Sequence, residues 1–121
     1  MAGVLKFPRR GEIYLANFDP TVGSEIKKIR PALIIQNDVA NEFSPITIVA
    51  AITSKFDPTI RPTEVLIKVG EAGLKQGSVV LLNQLRSFDR SRLIKRLGRV
   101  RPETLKRVNV CIARSLGLIE T

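Results

Sequence analysis

The chain contains no histidine and no tryptophan, and it has one cysteine, one methionine and one tyrosine. Without histidine, the usual side-chain acid or base of neutral pH is missing. A histidine-paired ribonuclease, a Ser-His-Asp triad and most zinc sites are excluded with it. Any catalysis must use carboxylates, hydroxyls, arginine, lysine or a hard metal. Cys111 stands alone, so no intrachain disulfide forms, which fits a reducing compartment. No apolar run reaches the roughly 18 residues of a membrane span, and the N-terminus lacks a signal-peptide stretch. The expected location is therefore the cytoplasm, with no membrane attachment. Acids are scarce: 11 Asp and Glu face 20 Lys and Arg. They are scattered without a DxD or other metal-binding spacing, so no metal and no cofactor is expected.

What is present describes one globular domain. The 121 residues are 44% hydrophobic and 26% charged, enough for a single core spanning residues 1–121. The net charge of +9 favours polyanionic partners: RNA, DNA, an anionic membrane or an acidic protein. The bland alternative is a solubility surface. Against it, Arg86, Arg90, Arg92, Lys95, Arg96, Arg99 and Arg101 crowd one stretch that holds Asp89 in return. With aromatics at 5%, a nucleic-acid grip would lean on phosphates rather than on stacked bases.

Residues 1–10 read as a loose lead-in. Residues 12–18 read as a strand with Ile13, Leu15 and Phe18 inward, and residues 31–36 as a strand covered on both faces. Residues 41–45 form a turn or a single helical turn. The β-branched stretch 46–53 is a third strand, and residues 54–62, with two prolines, are a loop. Residues 63–69 alternate, with Val65 and Ile67 on one face, and a glycine-rich connection follows over 70–77. Residues 78–84 form a buried strand, residues 86–92 are turn-like, and residues 93–100 form a strand or a short helix. Pro102 opens a helix that ends near Gly117, with Leu105, Val108, Ile112 and Leu116 as its apolar stripe. The fold class is mostly β, an α+β arrangement: a curled, barrel-like antiparallel sheet with one C-terminal helix packed on it.

The connection over residues 18–30 is too long for a tight hairpin and is the candidate site, because binding and chemistry concentrate on long loops over rigid sheets. It holds Thr21, Ser24, Glu25, Lys27, Lys28 and Arg30. Pro31 restricts Arg30 to an extended conformation. From there its guanidinium can grip a phosphate in two parallel hydrogen bonds and stabilise charge growing on it; a surface ion pair with Glu25 is the alternative. Thr53, at a strand end, can donate to a phosphate oxygen or simply fill a strand position. Glu25 can accept the proton of a ribose 2′-hydroxyl or balance Lys27 and Lys28. Gln84 and Arg86, straddling a strand end, can contact base edges or phosphate or remain solvated.

At these residues the chain resembles the MazF/PemK-type toxins, the messenger-RNA interferases of bacterial toxin–antitoxin pairs. The matching stretches are Gly11-Glu-Ile-Tyr14, Asp19-Pro-Thr-Val-Gly-Ser-Glu25, Arg30-Pro-Ala-Leu-Ile-Ile-Gln-Asn-Asp38, Ser44-Pro-Ile-Thr-Ile-Val-Ala-Ala-Ile-Thr53 and Val79-Val-Leu-Leu-Asn-Gln-Leu-Arg-Ser-Phe-Asp89. The resemblance runs from about Gly11 to Leu118. It implies an SH3-like barrel of the MazF/CcdB type and a homodimer that binds RNA in a groove formed by both subunits. It also implies metal-independent cleavage of single-stranded mRNA at a short sequence, by 2′-hydroxyl attack, to leave 2′,3′-cyclic phosphate and 5′-hydroxyl ends.

The family's catalytic arginine and threonine fall on Arg30 and Thr53, and its loop Ser-Glu on Ser24 and Glu25, with Glu25 the candidate base. Thr21, Lys27, Lys28, Gln84 and Arg86 are then candidate RNA contacts, and a cognate antitoxin covers the groove. Two alternatives carry the same fold: a gyrase-poisoning, CcdB-like toxin that binds protein, and an RNA-binding module without catalysis. The sequence departs from the family where Ile26-Lys27-Lys28 replaces a glycine-containing run. The change is expected to stiffen the loop and to add positive charge beside the candidate phosphate site.

Overall fold

The computed structural model describes residues 7–120. Strands β1 (Glu12–Asn17), β2 (Ile29–Ile34), β3 (Ile46–Thr53), β4 (Glu64–Ile67), β5 (Ser78–Asp89) and β6 (Leu93–Arg99) form one antiparallel 6-stranded sheet in the order β4-β5-β3-β2-β1-β6. A short helix α1 (Asp38–Phe43) joins β2 to β3, and the C-terminal helix α2 (Pro102–Ser115) packs on β4 and β5. The sheet curls into a half-barrel.

Alternation along the strands builds two apolar layers. Ile13, Leu33, Ile52, Val65, Ile67, Val80 and Leu82 meet Val108 and Cys111 of α2 on one side. Ala16, Phe18, Ala32, Ile34, Val49, Ala51 and Phe88 form the other. β2 therefore contributes to both, as a continuous apolar run should.

Several boundaries differ from the sequence expectation. β2 begins at Ile29 and passes through Pro31, which lies opposite Leu15, while Arg30 lies opposite Ala16. Arg30 is thus a strand residue and not part of the loop. β5 runs on through residues 86–89, read from sequence as turn-like, because its ladder with β3 continues to the Ile46–Asp89 pair. Residues 93–100 resolve as strand β6. On β1, Leu15 is half-buried and Ala16 fully buried; the pairing with β6 is irregular between them. α2 buries Thr104, Val108 and Cys111, whereas Leu116 is 58% exposed. Leu116 lies past the helix end, where Gly117 turns the chain at φ 74.

Most of the loose lead-in expected over 1–10 lies outside the described residues. Within it, the Arg10 backbone N–H donates to Asp38 at 2.7 Å, and its guanidinium reaches the Ile35 carbonyl and Asn109. The connection from β4 to β5 crosses β6 at close range. A methyl on Gly73 (φ 78) would stand 2.1 Å from the Leu97 carbonyl oxygen, and one on Gly98 2.5 Å from Ala72 backbone. Glycine at both positions lets the turn at Glu71–Gly73 lie directly on β6.

Candidate active site

The loop 18–28 is fastened at its base. Phe18 donates its N–H to the Lys28 carbonyl at 2.9 Å, and Lys28 donates its own to Asp19 Oδ1 at 2.9 Å. The Asp19-Pro20 peptide bond is cis. From across the sheet, Arg92 donates to the carbonyls of Asn17 (3.0 Å) and Asp19 (2.6 Å), and Arg86 donates to those of Phe18 and Pro20. Both guanidinium groups lie over the Phe88 ring, 5.3 and 5.4 Å from its centre. Phe18 meets the same ring edge-on at 4.9 Å. Two arginines from the basic stretch are therefore engaged with loop carbonyls, and Arg86 reaches the loop rather than standing free at a strand end.

A bulge in β5 supplies the next tie. The register against β3 shifts between Ala50 and Ala51, whose partners are Leu85 and Leu81. The residues between them, Leu82, Asn83 and Gln84, are displaced from the ladder, and Gln84 Oε1 accepts the Ile26 N–H at 2.8 Å. Bulges commonly re-aim side chains beside functional sites. At the loop tip, Glu25 Oε1 accepts the Val22 N–H at 2.9 Å and forms no ion pair with Arg30. Lys28 adopts φ 65, the left-handed region. Replacing the family's glycine run thus leaves the backbone in a glycine-like conformation with a lysine in it.

Arg30 and Thr53 come together. The β2–β3 register pairs Ala32 with Ala51 and Leu33 with Ala50; continued outward, it sets Arg30 opposite Thr53. Both line one open recess of about 310 Å³, together with Ser54, Lys75 and Gln76. Arg30 is half-buried, and its Nε faces the Lys27 carbonyl at 3.4 Å. Among the described residues no carboxylate pairs with it. The Thr53 hydroxyl accepts the Lys55 N–H at 3.1 Å and faces the Lys55 carbonyl at 3.3 Å, a local turn that fixes its direction.

Ser24, Glu25, Gln84 and Arg86 line a separate recess of about 440 Å³, with Asn83 beside them. A third recess, of about 510 Å³, contains Ile26 and Thr53. It shares Ile26 with the second recess and Thr53 with the first, so the three recesses adjoin one another at these two residues. Glu25 lines the recess with Gln84 and Arg86 and not the one that holds Arg30 and Thr53. Thr21 and the exposed Lys27 and Lys28 lie on the loop outside the three recesses. Sequence reasoning missed Asn83, Lys55 and Lys75. Asn83 owes its exposure to the bulge, which no periodicity reveals.

These features define a basic half-barrel whose open groove is lined by arginine, hydroxyl, amide and carboxylate groups. The chain belongs to the PemK-like, MazF-like toxins of type II toxin–antitoxin systems, whose sequence pattern matches residues 9–116. It is 41% identical over 112 residues to Endoribonuclease EndoA of Bacillus subtilis, covering 93% of this chain and 97% of that one. It is 46% identical over 110 residues to Endoribonuclease MazF of Staphylococcus saprophyticus, covering 91% and 92%. The crystal structure of MazF from Deinococcus radiodurans superposes with a TM-score of 0.81 at 28% identity, covering 93% and 98%.

Proposed function

We propose that the protein is a metal-independent endoribonuclease toxin that cuts single-stranded mRNA at a short sequence and is silenced by a cognate antitoxin. The observation that carries this reading is that Arg30 and Thr53, on neighbouring strands, line one open recess in which, among the described residues, no carboxylate pairs with the arginine. The endoribonuclease relatives favour it over gyrase binding.

In this reading Arg30 holds the scissile phosphate through two N–H groups and stabilises the charge that grows on its oxygens. Thr53 donates to the same phosphate and fixes its position. The ribose 2′-oxygen attacks phosphorus as its proton passes to Glu25, the P–O5′ bond breaks, and the departing oxygen takes a proton from water. The products are a 2′,3′-cyclic phosphate and a 5′-hydroxyl. Ser24, Thr21, Lys27, Lys28, Gln84 and Arg86 hold the strand in the groove. The protein works as a homodimer in the cytoplasm. Dimerisation also answers the separation of Glu25 from Arg30, since a second chain can bring its loop to the first chain's phosphate. An acidic or amphipathic antitoxin segment blocks the groove.

The test is cleavage of a long single-stranded RNA in EDTA, with end mapping. Discrete cuts with cyclic-phosphate ends are expected, falling by about 10²–10³-fold in Arg30→Ala and less in Thr53→Ala. Cuts that persist in both variants would refute the assignment. Mixing Arg30→Ala with Glu25→Ala subunits should restore part of the activity if the two groups act across a dimer.

A further inference from the structure

Beyond the groove, the turn that crosses β6 has a second recess on its other side. This recess, of about 500 Å³, is walled by Lys68, Gly70, Glu71, Arg99 and Arg101. Its single carboxylate is already engaged. Glu71 accepts the Arg101 N–H at 3.0 Å, the Thr104 hydroxyl at 2.7 Å and the Arg101 guanidinium at 3.3 Å. Lys68 and Arg99 are exposed, and among the described residues their side chains make no hydrogen bond or ion pair. Two unpartnered cations and a third held in place therefore face one concavity.

The position of this recess relative to the groove gives it meaning. The connection over residues 70–77 walls both. Gly70 and Ala72 face this recess, while Gly73, Lys75 and Gln76 face the one that holds Arg30 and Thr53. β6 also serves both, with Leu97 at the groove and Arg99 at the new recess, two strand residues or about 7 Å apart. Along this turn and β6 the basic wall residues change from Lys75 at the groove to Lys68 and Arg99 at the new recess.

We propose that Lys68 and Arg99 form a second phosphate subsite, which binds the backbone of RNA flanking the nucleotides held at Arg30 and Thr53. The inference rests on the RNA-cleaving reading above and extends it. Arg99 offers a planar fork for one phosphate, and Lys68 a mobile point charge. An acidic protein segment is the less suitable occupant. Such contacts centre on buried apolar anchors, and the apolar side chains at this recess are the small Ala72 and Val69, which is 65% exposed.

The experiment compares the full chain with a Lys68→Gln/Arg99→Gln variant, after equal thermal midpoints confirm that both fold. Fluorescence anisotropy is measured with uncleavable 2′-O-methyl RNAs of mixed sequence. One is about 4 nucleotides long and the other exceeds about 16, the range of single-strand site sizes. The variant should bind the long RNA about tenfold more weakly, and its log-affinity against log-salt slope should be shallower by about 0.7 per lost phosphate. Binding of the short RNA should not change. Equal losses for both lengths, or no loss, would overturn the subsite. Competition by polyglutamate that disappears in the variant, while long-RNA affinity is retained, would overturn it in favour of an acidic protein. Parallel cleavage of unmodified RNA separates the two readings. A parent that cuts, with salt slopes unaltered in the variant, removes the subsite alone. A length-dependent loss in the variant, when the parent does not cut, keeps the subsite and removes the nuclease. A parent that binds no RNA removes both.

Discussion

Gln84 Oε1 accepts the Ile26 backbone N–H at 2.8 Å, so a side chain displaced by the β5 bulge braces the loop that carries Ser24 and Glu25. In the proposed enzyme this brace is a second role for Gln84 beside direct contact with RNA, and the two can be separated. Gln84→Ala removes a hydrogen bond worth about 1 kcal/mol and should lower kcat/KM for RNA cleavage about fivefold, with the thermal midpoint falling by about 4 °C. Gln84→Glu keeps an acceptor for the Ile26 N–H but loses the amide donor. If bracing dominates, Gln84→Glu should retain more activity than Gln84→Ala. If the amide reads a base edge, both should fall together.

Lys28 makes the loop's departure from its family measurable. At φ 65 a lysine sits in a backbone region that costs an L-residue about 1–2 kcal/mol. Lys28→Ala removes the charge and keeps the strain, whereas Lys28→Gly removes both. The glycine variant should therefore be the more stable of the two by about 1 kcal/mol in denaturant unfolding. Both should bind RNA more weakly than the parent by a similar factor, because both lose the same cation. Equal stabilities would mean that the loop relaxes out of this conformation.

Where the chain's chemistry is local, the sequence showed it. The β-branched run ending at Thr53, the alternation of Val65 and Ile67, and Pro102 opening α2 each follow from side-chain shape or a fixed φ. What stayed hidden depends on partners distant in sequence. Residues 86–89 look turn-like because Arg86, Ser87 and Asp89 are polar, yet the ladder with β3 keeps them extended around the buried Phe88. Arg86 and Arg92 read as free basic groups, but both turn toward loop carbonyls between 66 and 75 residues away in the chain. The pairing of Arg30 with Thr53 is a matter of register, which neither residue announces alone.

Glu71 predicts a pH dependence of stability. Arg101, at the N-cap of α2, provides no side-chain cap, and Glu71, from the crossing turn, accepts the Arg101 N–H and the Thr104 hydroxyl instead. Burial pushes the Glu71 carboxyl up, but the Thr104 hydroxyl and the Arg101 contacts outweigh it and hold the pKa below the usual glutamate value. A folded-state pKa below the unfolded one stabilises the protein fully above the unfolded pKa, about 4.3, and that contribution is lost as pH falls through the folded value. Glu71→Gln should therefore lower stability at neutral pH by about 1 kcal/mol. The gap from the parent should close in acid, as followed by denaturant midpoints from pH 7 downward. A gap independent of pH would mean that the carboxylate charge contributes nothing.

The last prediction concerns the contact that closes the half-barrel. Gly98 lies against the Ala72 backbone, where an added Cβ would stand 2.5 Å from the carbonyl carbon and 2.6 Å from its oxygen. Neither atom belongs to a flexible side chain, so Gly98→Ala must move β6 away from the turn. The turn carries Glu71 and leads into Gly73, Lys75 and Gln76, which wall the Arg30–Thr53 recess. Separation should destabilise the protein by about 1–3 kcal/mol, the usual range for overpacking, and lower RNA cleavage beyond what the remaining folded fraction explains. Gly77→Ala supplies the control, because a methyl there meets nothing within 4 Å and its φ lies outside the left-handed region. That variant should match the parent in midpoint and in cleavage. Gly98→Ala with parental stability would show that the turn and β6 are not clamped together, and the continuity drawn between the two recesses along that turn would fail with it.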